Sequence, residues 1–144
     1  MTKELYYSLK EGKEPTRGTV HSAGIDMYYN GKEIKTLKHM DIVELETGLS
    51  VLIPENHFGL VAIRSGYGWK GLNLINGVGI IDSDYRGEIG VKVIHFGKEE
   101  ITINPGERIA QIIIVPYKHM EMNRLEQLPD SIRGTGGFGS TGIY

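Results

Sequence analysis

The chain contains no cysteine. That excludes a disulfide framework and any metal centre built on thiolates. It has little net charge: 16 basic residues against 18 acidic ones leave −2. A general nucleic-acid binder carries an excess of Lys and Arg over one face, so direct nucleic-acid binding is not expected. A pocket for a single nucleotide needs only local cations, and net charge does not bear on that. No apolar run approaches the length that spans a bilayer. The opening residues, Met1 to Leu5, lack the apolar centre of a signal peptide. Together these absences lead to the expectation of a cytoplasmic, membrane-free protein. With 144 residues it forms one domain, long enough to bury a core without covalent staples.

What the chain does have is glycine, 20 residues of it, and 8 tyrosines among many Ile and Val. That mixture favours short strands joined by tight turns. Val51-Leu52-Ile53 is a short apolar run ending at Pro54, and His57 to Ile63 is a second. From Glu88 to Phe96 apolar and polar residues alternate, placing Ile89, Val91 and Val93 on one face. Gly97 to Glu100 is predicted to turn the chain so that Ile101-Thr102-Ile103 returns. Asn104-Pro105-Gly106 is a further turn. Ile109 to Val115 is nearly all apolar and predicts a strand buried on both faces. Only Tyr67 to Leu72 and Met122 to Leu128 have the composition for a turn or two of helix. Turn signals every ten residues or so predict an all-β sandwich or barrel. The one compositional break follows Pro129, dividing a β domain, 1–129, from a Gly-rich tail, 130–144.

The tail holds most of the chemistry. Arg133-Gly134-Thr135-Gly136-Gly137-Phe138-Gly139-Ser140-Thr141-Gly142 sets five glycines around one ring and one guanidinium. Glycines let backbone N–H groups converge on an anion. Arg133 offers a fork for two phosphate oxygens, and Phe138 a flat face for a base. Standing alone, such a segment reads as a flexible terminus. It is not a P-loop: Ser140 occupies the lysine position, and no helix follows.

Four more clusters interrupt the strands. Ala23-Gly24-Ile25-Asp26 places a carboxylate beside a glycine. Arg64-Ser65-Gly66 joins a cation, a hydroxyl and a flexible residue. Asn76 to Gly87 carries Asp82, Asp84 and Tyr85, and Arg108-Ile109-Ala110-Gln111 sets a guanidinium and an amide on a buried strand. Singly, each has a plain explanation, such as a turn for Asp82-Ser83-Asp84 or a satisfied core amide for Gln111.

In this order, the five clusters resemble the motifs of the trimeric dUTP diphosphatases. The matching strings are AGIDMYY, RSGYGWKG, NGVGIIDSDYRGEI, RIAQIII and RGTGGFGSTG, running from Ala23 to Gly142. Ile63, Tyr67 and Trp69 depart from the family pattern. The resemblance implies a β-rich jelly roll, three subunits sharing three sites, and Mg²⁺-dependent hydrolysis of dUTP to dUMP and diphosphate. Such an activity limits uracil in DNA and supplies dUMP for thymidylate synthesis. It implies Asp82 as the base that activates water, and Asp26 as the holder of Mg²⁺ through water. Arg64, Ser65, Gly66 and Gln111 become phosphate contacts. Arg133, Gly139, Ser140 and Thr141 become phosphate contacts delivered by the tail, and Phe138 stacks on uracil. Asn76 and the backbone from Gly77 to Ile80, Gly79 included, read the base, and Tyr85 packs under deoxyribose. Asp84 is expected to brace its loop through an arginine. Two rivals share the fold. One is a dCTP deaminase using Glu88, and the other a nucleotide-gated regulatory protein. The tail is expected to be mobile without nucleotide.

Overall fold

The computed structural model describes residues 4–144. Eleven strands and one helix follow in order: β1 Tyr6–Leu9, β2 Ile25–Tyr28, β3 Lys35–Leu37, β4 Ile42–Glu46, β5 Leu49–Leu52, β6 His57–Ile63, α1 Ser65–Trp69, β7 Leu72–Leu74, β8 Gly79–Ile81, β9 Gly90–His95, β10 Ile101–Ile103 and β11 Arg108–Pro116. All strand pairs are antiparallel. The sheets run β2-β11-β6-β8, β4-β9-β7, β1-β5 and β3-β10. Their inward side chains meet in one apolar cluster that includes Met27, Leu45, Val61, Val93, Ile103 and Ile112. The all-β jelly-roll expectation holds. No helix among the described residues is long and apolar enough to cross a membrane.

The alternation read from Glu88 to Phe96 becomes β9, with Ile89, Val91 and Val93 inside. Three local readings need correction. Ile101-Thr102-Ile103 does not fold back on β9; it pairs with Lys35 to Leu37 instead. The turn at Gly97 therefore starts a crossover between sheets, and composition carries no label for a distant ladder partner. Met122 to Leu128 forms no helix and lies exposed. A stretch that short is helical only when tertiary packing holds it, and none of the described residues covers it. β11 is the third. It is central in its sheet, yet Ile113, Ile114 and Val115 are only half-buried.

The half-burial follows from register. Residues opposite one another in a ladder share a face. One face carries Met27, Ala110 and Ile63 in a row, with Ile112 opposite Val61 in the next, and this face is the core. The other carries Leu60 between Ile113 and Ile80, and Phe58 opposite Val115. That second face is apolar and has no layer of this chain over it. At one end of it lies the row Asp26, Gln111 and Ala62. A bulge keeps this polar end in phase. Between Arg108 and Ala110 the register slips by one, so Ile109 is the extra residue. Ile109 and Ala110 both turn inward, fully buried, while Arg108 and Gln111 keep the outer face.

Candidate active site

The candidate residues fall into three separate groups. The first is cationic and surrounds Asp26. This carboxylate is buried, at 7% exposure, on strand β2. The Nε of Arg64 lies 3.0 Å from its Oδ1, and Nη1 of Arg108 lies 3.3 Å from its Oδ2. Burial is tolerable because both oxygens meet guanidinium groups. Gln111 stands beside it in the ladder. Its amide lies where any Cβ at position 24 would fall, which explains Gly24. Arg64 is the N-cap of α1, so Ser65 and Gly66 form the first turn beside the ion pair. Arg64, Gly66 and Arg108 line a recess of about 580 Å³ together with Lys13, Tyr28, Tyr67, Lys70, Gly106 and Glu107. Arg108 was visible in sequence without an assigned role. Lys70 lies within RSGYGWKG without an assigned role, and Lys13 and Glu107 carry no sequence signal of belonging here.

One pair of titrating groups in the recess is perturbed. Burial raises the Tyr67 hydroxyl far above its ordinary range, and its hydrogen bond to Glu107 raises it further. Tyr67 therefore stays a donor. Burial pushes Glu107 up as well, but the Tyr67 hydroxyl, the Asn104 donors and the nearby Lys70 charge outweigh it and hold the carboxyl below its usual range.

The second group sits at the opposite edge of the four-stranded sheet. β7 and β8 belong to different sheets and are joined by a tight turn in which the Gly77 N–H donates to Leu74 O at 3.0 Å, so the expected base-reading segment is a turn between sheets. Gly77 has φ 75°, a left-handed value that favours glycine, and open space around it. Gly79 is required for another reason: a Cβ there would press on Val61 at 3.1 Å. Asn76, Gly79 and Ile80 line a recess of about 330 Å³ with Val61, Ile89 and Lys92. Asp82 follows directly on β8, exposed, and its carboxylate has no hydrogen bond or ion pair among the described residues. The Tyr85 ring folds over Gly87, and its hydroxyl donates to Glu88 O at 2.9 Å. Among the described residues Asp84 has no hydrogen bond or ion pair, so the expected arginine brace is not seen. Arg86 braces the loop instead, donating to the carbonyls of Ser83 and Tyr85 at 2.6 and 3.1 Å. Carbonyl acceptors one to three residues away are in easier reach than a solvated carboxylate. Glu88, the deaminase candidate, faces away from this recess. Its carboxylate accepts from the Gly48 N–H at 2.6 Å and pairs with Lys10 at 3.7 Å.

The tail is the third group. Arg133 to Gly142 is a run of turns, closed by N–H donation from Gly136 to Arg133 O, Ser140 to Gly137 O and Gly142 to Gly139 O. Phe138 is fully exposed with φ 50°, so its ring projects from a left-handed backbone. Arg133, Phe138, Gly139, Ser140 and Thr141 meet neither of the other groups by hydrogen bond or ion pair.

Asp26 of the first group and Asp82 of the second lie far apart. Asp26 and Asp82 are separated by three strand intervals and an offset of four residues, roughly 20 Å at ~4.8 Å per interval and ~3.3 Å per residue. Among the described residues, no group of three or more His, Asp or Glu side chains is placed to hold a metal.

Comparison with known proteins adds ancestry to this geometry. A dUTPase family model matches residues 10–142. The deoxyuridine 5'-triphosphate nucleotidohydrolase of Desulfitobacterium hafniense is 43% identical over 136 residues, covering 93% of this chain and 90% of its own. That of Rickettsia bellii is 41% identical over 134 residues, covering 92% and 89%. Among solved structures, the dUTPase of Staphylococcus bacteriophage 80alpha with dUpNHpp superposes with a TM-score of 0.88 at 28% identity, over 99% of this chain and 100% of that one. Sequence and fold agree along nearly the whole length, and the chain belongs to the dUTPase family.

Proposed function

We propose that this chain hydrolyses dUTP to dUMP and diphosphate, in the cytoplasm, at sites assembled between three copies. One observation carries the reading: a base-sized recess and an unpaired carboxylate, Asp82, lie at the β8 edge of the sheet, roughly 20 Å from Asp26 on the β2 edge, which gathers Arg64 and Arg108. No single copy brings them together. Asp82 orients a water molecule and takes its proton as the oxygen attacks the α-phosphorus. Diphosphate then leaves in line. Arg64, Ser65, Gly66 and Gln111 hold the phosphates, and Arg133 with Gly139, Ser140 and Thr141 closes over them as residues 130–144 fold down. Positioned cations favour the charge that grows on the leaving diphosphate.

The backbone from Gly77 to Ile80 and Asn76 read uracil. A carbonyl facing uracil N3–H would meet an unprotonated nitrogen in cytosine and lose its partner. The exposed face of the Tyr85 ring supports deoxyribose and leaves no room for a 2′-hydroxyl, and Phe138 stacks on the base.

The donor set fits Mg²⁺. This cation keeps several waters and takes only one or two carboxylates beside substrate phosphates. Each Asp26 oxygen is engaged by one guanidinium and retains a second acceptor position for a metal-bound water. Mg²⁺ held through water by Asp26 would supply charge neutralisation to the triphosphate.

The trimer is supported by the uncovered apolar face of the four-stranded sheet and by the exposed residues Met120, Met122, Leu125 and Leu128. A threefold ring covers such surface and closes. An active, monodisperse particle of 16.0 kDa by light scattering would overturn it. Incubation with all deoxynucleoside triphosphates and Mg²⁺ tests the reaction. Diphosphate from dUTP is expected; ammonia from dCTP would mean a deaminase. A regulatory role on the same site is compatible. The bacteriophage 80alpha relative is described as controlling transfer of virulence genes by a proto-oncogenic G protein-like mechanism.

A further inference from the structure

The 580 Å³ recess holds more charge than the ion pair at its base requires. Four cations line it, Lys13, Arg64, Lys70 and Arg108, against one carboxylate, Glu107. Asp26 offsets part of the two arginines. Neither lysine has a carboxylate within salt-bridge distance. Aromatic rings and a carbonyl orient them instead. Lys13 Nζ donates to Gly106 O at 3.0 Å and lies 5.6 Å from the Tyr28 ring centre. Lys70 Nζ lies 5.5 Å from the centre of the Tyr67 ring. Glu107 is the natural partner for Lys70, yet its oxygens are taken by neutral donors. Oε2 accepts from the Tyr67 hydroxyl and from the Asn104 N–H at 3.0 Å, and Oε1 from Asn104 Nδ2 at 3.2 Å. Tyr67, a departure from the family pattern, thus both seats Lys70 and occupies its competitor.

We propose that Lys13 and Lys70 hold the outer phosphates of the nucleotide, the end that departs as diphosphate, in the recess beside Arg64, Gly66 and Arg108. This rests on the dUTP-hydrolase reading above. Each ammonium has three donors and at most one is used within the chain. A lysine is a flexible point charge without a fixed fork, which suits an anion that shifts as it leaves. Tyr67 is a positioning residue: it acts on phosphate only through Lys70 and Glu107.

The test is calorimetric binding of inorganic diphosphate, and separately of dUMP, to the wild type and to Lys13→Gln, Lys70→Gln, Lys70→Arg and Tyr67→Phe. Diphosphate affinity is expected to fall about tenfold in each Gln variant, the scale of one lost charge-assisted hydrogen bond, with dUMP affinity unchanged. Lys70→Arg keeps most of the affinity, and Tyr67→Phe falls with Lys70→Gln. The kcat/KM for dUTP also becomes less salt-sensitive in the Gln variants. Wild type that binds no diphosphate, or lysine variants that bind it normally, overturn the proposal. Equal losses for dUMP and diphosphate also overturn it, because they mean a structural defect. Lysine-dependent diphosphate binding by a wild type inactive on dUTP would instead refute the hydrolase reading.

Discussion

Asp26 and Asp82 border the same sheet and meet opposite fates. Asp26 is buried and held by two guanidinium groups from strand ends far along the chain. Asp82 is exposed and unpaired. The first is a charge this chain completes by itself, so its shape is settled before any ligand arrives. The second is a charge the described residues leave open, as the proposed base role requires until water and substrate reach it. Satisfied groups build a site, and unsatisfied ones are available for chemistry.

The sharpest way to break the comparison is Asp82→Asn. The amide keeps shape and cannot take a proton, so kcat is expected to fall by roughly 10²–10⁴ with nucleotide binding retained and thermal stability unchanged. Turnover near the wild-type rate in steady-state kinetics would remove Asp82 from the base role. Removing every residue after Ile132 is next. The tail makes no hydrogen bond to the body, so Tm should hold, while kcat falls by about 10–10² through loss of closure. Binding of a non-hydrolysable analogue, measured by calorimetry beside the kinetics, should weaken far less; full kcat would make the tail an inert terminus.

Asp26→Ala, unlike Asp82→Asn, should lose stability as well as activity. It leaves Arg64 and Arg108 unpaired and close together. Both arginines are partly exposed, which screens them, so a loss of about 1–3 kcal/mol is expected in urea unfolding. An unchanged midpoint would show that the pair is not structural.

The smallest effect concerns Tyr67→Phe. Glu107 has its folded-state pKa below the unfolded value, near 4.5. Its stabilising contribution is therefore present above that value and lost as pH falls through the folded one. The variant should be less stable than wild type by up to about 1 kcal/mol near pH 7, and the gap should close as pH falls through the folded-state value. A gap independent of pH would disconnect Tyr67 from Glu107.

Much of this was legible locally. The alternation through Val91 and Val93 specified β9 because a period of two needs only near neighbours. Met122 to Leu128 misled because a helix-compatible composition is only permission; the packing that would enforce it is absent. Asp84 misled for a related reason: its charge suggested a partner, but Arg86 had carbonyls closer at hand.

Residue chemistry by itself determined the all-β class, the five polar clusters and the kind of ligand they suit, since each depends on side-chain type within a few positions. Tertiary structure alone decided that β10 pairs with β3 and that Ile109 bulges to keep Arg108 and Gln111 outward. It also decided that Lys13 reaches Gly106 across 93 residues, and that Asp26 and Asp82 end on opposite edges. Those are relations between segments brought together by burying one shared core, and no local pattern encodes which distant segment will be the neighbour.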